Sequence, residues 1–236
     1  MRIGVDLMSV SRFARVAEHR RYRALVFTER ELSEAGQLGS ARCLERLAGR
    51  FCVKEATCKL LGRGFGQGLR WPDIEVCADD WGAPAVALSG GARRLADEAG
   101  IGDIAVALTH QVDLVMAVAA SDRGRPPSPY RAAPREQDAG AGAVGGLDDV
   151  ARMAAEVFGS SEIHVAAAES FAGDLGATSA LTIELLTRLE EHYGVRIPEP
   201  DFYQMTDLPG TRRAVARAVA SARDAASVPE PAAAVG

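Results

Sequence analysis

The chain has 236 residues, 47% hydrophobic and 25% charged, with a formal net charge of −5. That balance fits a globular protein of one large domain or two small ones, with neither nucleic acid nor membrane expected as a partner. No apolar run approaches the ~20 residues needed to cross a bilayer, and the start, MRIGVDLMSV, lacks the apolar core of a signal peptide, so the expected compartment is the cytoplasm.

In chain order, RIGVDLM alternates and is β-branched, which predicts a strand ending near Asp6. SVSRFARVAEH reads as a helix, and TERE at Thr28–Glu31 is a capping box that opens a second one. A longer helix covers roughly Ala41 to Leu61. The apolar strands DIEVCA, PAVAL and IAVALT follow, with a helix at GARRLADEAG between the last two, a turn at DDWG, and LVMAVAA as closing strand. Short hairpins and many strands favour an α+β domain with an antiparallel sheet over 1–121. Cys43, Cys52, Cys58 and Cys77 include no C-x-x-C pair, so they are expected to pack as small apolar side chains.

Residues 122–146, rich in Pro, Gly, Ala and Arg, have a linker composition. As a flexible chain, about 25 residues would span roughly 25–30 Å. Charge divides the chain at the same place: 1–121 is net +1, whereas 147–236 is net −7. The acidic part holds three helical stretches, LDDVARMAAEVFG, LTIELLTRLEEHYGVRIP and TRRAVARAVASA, with no strand signal. In the second stretch Leu186, Leu189 and Tyr193 keep helical spacing. An all-α bundle over 147–223 is predicted, followed by a frayed tail at 224–236.

The chemistry gathers on the long helix. Leu44, Ala48, Phe51 and Glu55 step by four, three and four, so they share one face, and a carboxylate in that series needs a partner or a metal. Lys59 is its i+4 neighbour. The chain has 25 arginines and two lysines, Lys54 and Lys59, which flank Glu55. An ordinary helix-surface pair is the plain reading of the spacing. The choice of Lys over Arg points instead to phosphate or proton chemistry rather than architecture. GRGFGQG, Gly62 to Gly68, follows without a Walker pattern, and serves equally as a phosphate-approaching loop or a helix stop.

Together IGVDL, FTERE, LAGRFCVKEATCKLLGRG, DIEV and ALTH resemble the holo-acyl-carrier-protein synthase type of 4′-phosphopantetheinyl transferase over nearly all of 1–121. The resemblance implies transfer of phosphopantetheine from coenzyme A to a carrier-protein serine, with Mg²⁺, releasing adenosine 3′,5′-bisphosphate. It implies Asp6 and Glu55 as metal ligands and Lys59 as the cation that neutralises the departing phosphate. The base is left open between Glu55 and a metal-held water. Arg50, Lys59, Gly62, Gly64, Gly66 and His110 are implied in coenzyme A binding, and Arg12 in docking the acidic carrier. A homotrimer with shared sites is also implied. His19, His164 and His192 match nothing and read as surface. Two positions depart from the pattern, Ser9 where an acid is common and Arg63 where a small or hydroxyl residue is usual.

ESFAGDLGATSALTIELLTRLEEHYGVRIP resembles an acyl carrier protein over about 147–220. Ser179 falls at the phosphopantetheine attachment serine. The usual D-S-L reads Thr178-Ser179-Ala180, followed by Leu181, and the plain alternative is that Thr178 or Ser179 merely caps the helix. The expected function is therefore a transferase acting on carriers in cis or in trans, in fatty acid or polyketide synthesis, with its own Ser179 as a candidate acceptor. A carrier or docking module with a vestigial enzyme domain, and another Mg²⁺-dependent nucleotide pyrophosphate enzyme, stand as alternatives.

Overall fold

Alternation in RIGVDLMS builds the first strand, β1 (Arg2–Ser9), and residues 1–65, 67–79, 81–125 and 148–227 are described in the computed structural model. Two units divide the chain, Met1–Arg135 and Glu136–Gly236.

In the first unit, Ser9 caps α1 (Val10–Glu18) by accepting from the Arg12 amide. A second helix, α2 (Arg20–Val26), was not expected; His19 separates it from α1 in extended backbone, and Tyr22 and Val26 bury one side of it. The capping box is present at α3 (Glu29–Ala35), where Thr28 and Glu31 exchange both bonds. α4 (Ala41–Leu61) has the expected bounds, opened by Ser40 and closed by left-handed Gly62. A 3-10 turn (Trp71–Asp73) leads into β2 (Ile74–Ala78) and β3 (Pro84–Leu88). Asp79 makes their turn by accepting from the Trp81 and Ala83 amides. Then come α5 (Gly90–Ala99), β4 (Ala105–Gln111) and β5 (Leu114–Ser121).

All pairing is antiparallel, as an α+β domain requires, but the strands form two small sheets, β1-β5-β4 and β2-β3. α4 packs on the inner face of the larger sheet. One amphipathic face was expected for α4, yet from Leu47 to Leu61 it is buried on almost every side, with Arg50 and Glu55 half-buried and Lys59 exposed. The helix is the core of the domain, and Glu55 and Lys59 mark its open edge. Cys43, Cys52 and Cys58 are buried free thiols and Cys77 is half-buried.

Residues 122–125 of the expected linker stay with the first unit: the Arg125 amide donates to Ala99, its guanidinium to Glu98, and its carbonyl accepts from Arg2. The remainder, 126–147, lies outside the described residues.

The second unit is helical throughout its described residues. It comprises α6 (Asp148–Phe158), α7 (Glu162–Ala167), α8 (Phe171–Asp174), α9 (Ser179–Tyr193), α10 (Glu199–Phe202) and α11 (Leu208–Ser227). Its core joins Val150, Phe171, Leu185, Leu189, Ile197 and Val215. α11 runs past the expected boundary at 223, and the rest of the expected tail, 228–236, is outside the described residues. No described helix is long and apolar enough to cross a membrane.

Candidate active site and carrier serine

The site begins with a missing side chain. Gly4 of β1 lies so close to α4 that a Cβ there would sit 1.9 Å from the Ala56 carbonyl oxygen and 2.6 Å from the Leu60 amide nitrogen. Strand and helix cross backbone to backbone. Period two then turns Asp6, two residues on, toward the same helix. Its carbonyl accepts from Cys52 Sγ at 3.3 Å, and its Oδ1 meets Lys59 Nζ at 2.9 Å. The same ammonium donates to the Val5 carbonyl at 2.8 Å. Lys59 is 53% exposed and Asp6 16%, so the carboxylate is sheltered while its cation stands in solvent.

Glu55, one turn before Lys59, is half-buried, and its Oε1 accepts from Trp71 Nε1 at 3.3 Å. Burial pushes the Cys52 thiol well up, and the charges of both Asp6 and Glu55 push it further. Two carboxylates on one open edge suit a hard divalent cation whose remaining oxygens come from phosphate and water. Among the described residues no cluster of three or more His, Cys, Asp or Glu is arranged to hold a metal alone.

The other lysine has a different use. Lys54 Nζ is fully buried 2.9 Å from the equally buried Glu31 Oε2, and donates also to the carbonyls of Trp71, at 3.0 Å, and Ile74. Three ammonium protons meet three acceptors, a tetrahedral arrangement that a planar guanidinium would not satisfy. Burial lowers the Lys54 pKa, against the opposing effect of Glu31. The expectation that both lysines serve phosphate or proton chemistry is thus corrected for Lys54, which is architecture.

Arg50 is engaged elsewhere. Its Nη2 bonds Glu34 at 3.0 Å and its Nε the Val76 carbonyl at 3.2 Å, tying α4 to α3 and β2. That side chain is only 12% exposed. Two of the loop glycines also have bonded amides. The Gly62 amide is spent closing α4 on Cys58 and Lys59 carbonyls, and the Gly64 amide donates to Gln67 Oε1. Gly66 lies outside the described residues.

His110 is exposed on β4. It pairs with Val115, which pairs with Met8. It therefore stands two strands across and two residues along from Asp6, roughly 12 Å between backbones at ordinary strand spacing and rise. One chain does not bring His110 to the carboxylates. Arg12 is exposed on α1, and its guanidinium has no partner among the described residues. His19, His164 and His192 are exposed, as expected.

Two participants escaped the sequence reading. Trp71 gave no signal beyond its place before Pro72. Asp113, in the β4–β5 turn, accepts from Ser9 Oγ at 2.6 Å, Ser11 Oγ at 2.8 Å and the Ser11 amide at 2.7 Å. Those bonds hold its carboxyl below the usual range. An acid from the turn thus stands against Ser9, a relationship no local spacing reveals.

In the second unit Thr178 is the cap of α9, its hydroxyl accepting from the Leu181 amide at 3.4 Å. Ser179 is the first helical residue, half-exposed, and its hydroxyl makes no hydrogen bond among the described residues. Capping is therefore Thr178's role and leaves Ser179 accessible. Ala180 and Leu181 are buried.

Comparison with known proteins matches these units separately. Residues 2–118 match the 4′-phosphopantetheinyl transferase superfamily, and residues 148–211 match the phosphopantetheine attachment site family. The holo-[acyl-carrier-protein] synthase of Moorella thermoacetica is 41% identical over 114 residues, covering 45% of this chain and 82% of that protein. That of Thermoanaerobacter sp. (strain X514) is 37% identical over 110 residues, covering 46% of this chain and 77% of that protein. A crystal structure of the Neisseria meningitidis holo-[acyl-carrier-protein] synthase aligns at 26% identity and a TM-score of 0.47, over 52% of this chain and 98% of that one. The chain belongs to the 4′-phosphopantetheinyl transferase superfamily, as a holo-[acyl-carrier-protein] synthase followed by a phosphopantetheine attachment domain.

Proposed function

We propose that the enzyme transfers 4′-phosphopantetheine from coenzyme A to a carrier serine through Asp6, Glu55 and Lys59, and that its own Ser179 is one acceptor. The reading rests on one observation above the rest: a sheltered Asp6 carboxylate bound 2.9 Å from an exposed lysine, with Glu55 one helical turn away. Asp6 and Glu55 are the residues that would hold Mg²⁺, which when bound offsets the charge of the coenzyme A pyrophosphate.

The serine oxygen forms a bond to the phosphorus that carries pantetheine, and the pyrophosphate bridge breaks. Adenosine 3′,5′-bisphosphate leaves with the bridging oxygen and its negative charge. Lys59, free to leave Asp6, neutralises that charge as a compact cation on a flexible stem. Glu55 is the side chain within the site able to take the serine proton. At Ser179 the product phosphate would stand at the N-terminus of the fifteen-residue α9, where unpaired amides and the helix dipole favour negative charge.

Partner carriers in trans are acidic proteins docking near Arg12. The outer face of the β1-β5-β4 sheet exposes Ile3, Val5, Leu7, Leu114 and Met116, which supports burial in a homotrimer. Such an assembly would also let His110 of one subunit complete the carboxylate site of another. Free thiols and coenzyme A chemistry suit the cytoplasm. Adenosine 3′,5′-bisphosphate should appear only when Mg²⁺, coenzyme A and an acceptor serine are all present. Release without any acceptor would mark a pyrophosphatase instead.

A further inference from the structure

Adjacent residues of α4 hold one tryptophan at two points. Lys54 Nζ donates to the Trp71 carbonyl at 3.0 Å, and Glu55 Oε1 accepts from the Trp71 indole at 3.3 Å. The ring is 1% exposed, with Phe65 at 4.3 Å and Phe51 at 6.3 Å between centroids. Lys54 also takes the Ile74 carbonyl, so one ammonium clamps both ends of the 3-10 turn that carries the tryptophan. Its charge is balanced by Glu31, which in turn accepts from the Thr28 and Val76 amides.

We propose that Trp71 is a positioning residue for Glu55, set in place by Lys54. The proposal rests on the reading that Glu55 works at the coenzyme A phosphates. A glutamate on an open helix edge has three rotatable bonds and several accessible rotamers. The indole N–H engages one oxygen, Oε1, and so fixes the direction in which the carboxylate points. Because the indole cannot shift without losing its stack or its carbonyl bond, the carboxylate is fixed to the domain core rather than to solvent. Phe65 belongs to the loop after α4, so that loop and Glu55 share an anchor. The lysine before the glutamate and the lysine after it then serve the same carboxylate site, one through Trp71 and one through Asp6.

The test uses the full chain, whose two tryptophans are Trp71 and Trp81. Trp81 is 90% exposed in the β2–β3 turn, so Trp81→Phe keeps activity and leaves Trp71 as the reporter. In that background, without metal, Glu55→Gln should shift Trp71 emission. Mg²⁺ with coenzyme A should change it only when Glu55 is present. Separately, Trp71→Phe keeps an aromatic ring but loses the N–H. It should lower kcat about tenfold and raise the Mg²⁺ concentration for half-activation several-fold, leaving the KM for carrier unchanged. A Trp71→Phe enzyme that is less heat-stable but keeps normal kcat and Mg²⁺ dependence would overturn the proposal, as would Trp71 emission indifferent to Glu55. Full activity in Glu55→Gln would instead overturn the underlying site reading.

Discussion

Gly4 lies against Ala56 so closely that any side chain at position 4 would enter the Ala56 carbonyl, 1.9 Å from its Cβ. The obstacle is helix backbone, so no rotamer change relieves it. Gly4→Ala should push β1 off α4, separating Asp6 from Glu55 and Lys59. We expect destabilisation of about 3 kcal/mol or more, seen as a lower urea midpoint, and activity falling further than the unfolded fraction explains. A stable, active Gly4→Ala enzyme would mean that the crossing does not set the site.

Lys59→Arg tests the choice of lysine directly. Charge is kept, but the planar fork cannot repeat the compact contact with Asp6 Oδ1 and the Val5 carbonyl. Transfer should fall at least a hundredfold in steady-state assays, with Asp6→Ala and Glu55→Ala at background. Full activity with arginine would remove the reason offered for this lysine.

Lys54→Met should act on stability first. It leaves Glu31 charged and fully buried without its cation, which costs about 3–5 kcal/mol when one partner of a buried pair is removed. Lys54→Met combined with Glu31→Gln should recover part of that loss, since the stranded charge is gone. Chemical denaturation of the wild type and both variants checks this. Equal destabilisation in the single and double variants would show that the ion pair is not what Lys54 contributes.

Much of this arrangement was legible in the sequence, for identifiable reasons. α4 showed its end at Gly62, and the Thr28–Glu31 capping box was local chemistry that the fold used as written. The carboxylates and Lys59 were visible because a helix brings i and i+4 together. What failed depended on distance in sequence. Nothing near Lys54 announces Glu31 or the Trp71 carbonyl, so a buried ion pair read as phosphate chemistry. Arg50 looked available until Glu34 and Val76 arrived from other elements. α2 was missed because its buried pair, Tyr22 and Val26, spans too short a run to show a period. The division into two sheets depended on which strands pair, and alternation alone does not choose partners.

Assembly is tested by complementation. A Glu55→Gln chain and a His110→Ala chain should each be inactive alone and regain some activity when mixed and allowed to exchange subunits. Analytical ultracentrifugation should give the mass of a trimer. A fully active monomer would contradict both the shared site and the use proposed for the apolar sheet face.

The most direct measurement is the intact mass of the purified chain, with and without an added apo carrier, before and after coenzyme A and Mg²⁺. The half-exposed, unbonded Ser179 hydroxyl predicts that the wild-type chain gains one phosphopantetheine and that Ser179→Ala does not. Both enzymes should still modify the added carrier. Thr178→Asp, which supplies the acid of the usual D-S-L, should speed transfer to the detached carrier domain more than to the tethered one. An unmodified Ser179 beside a modified carrier would remove the self-acceptor while leaving the transferase. No mass gain on Ser179 or on the carrier, in a folded protein supplied with both reagents, would contradict the account at its centre.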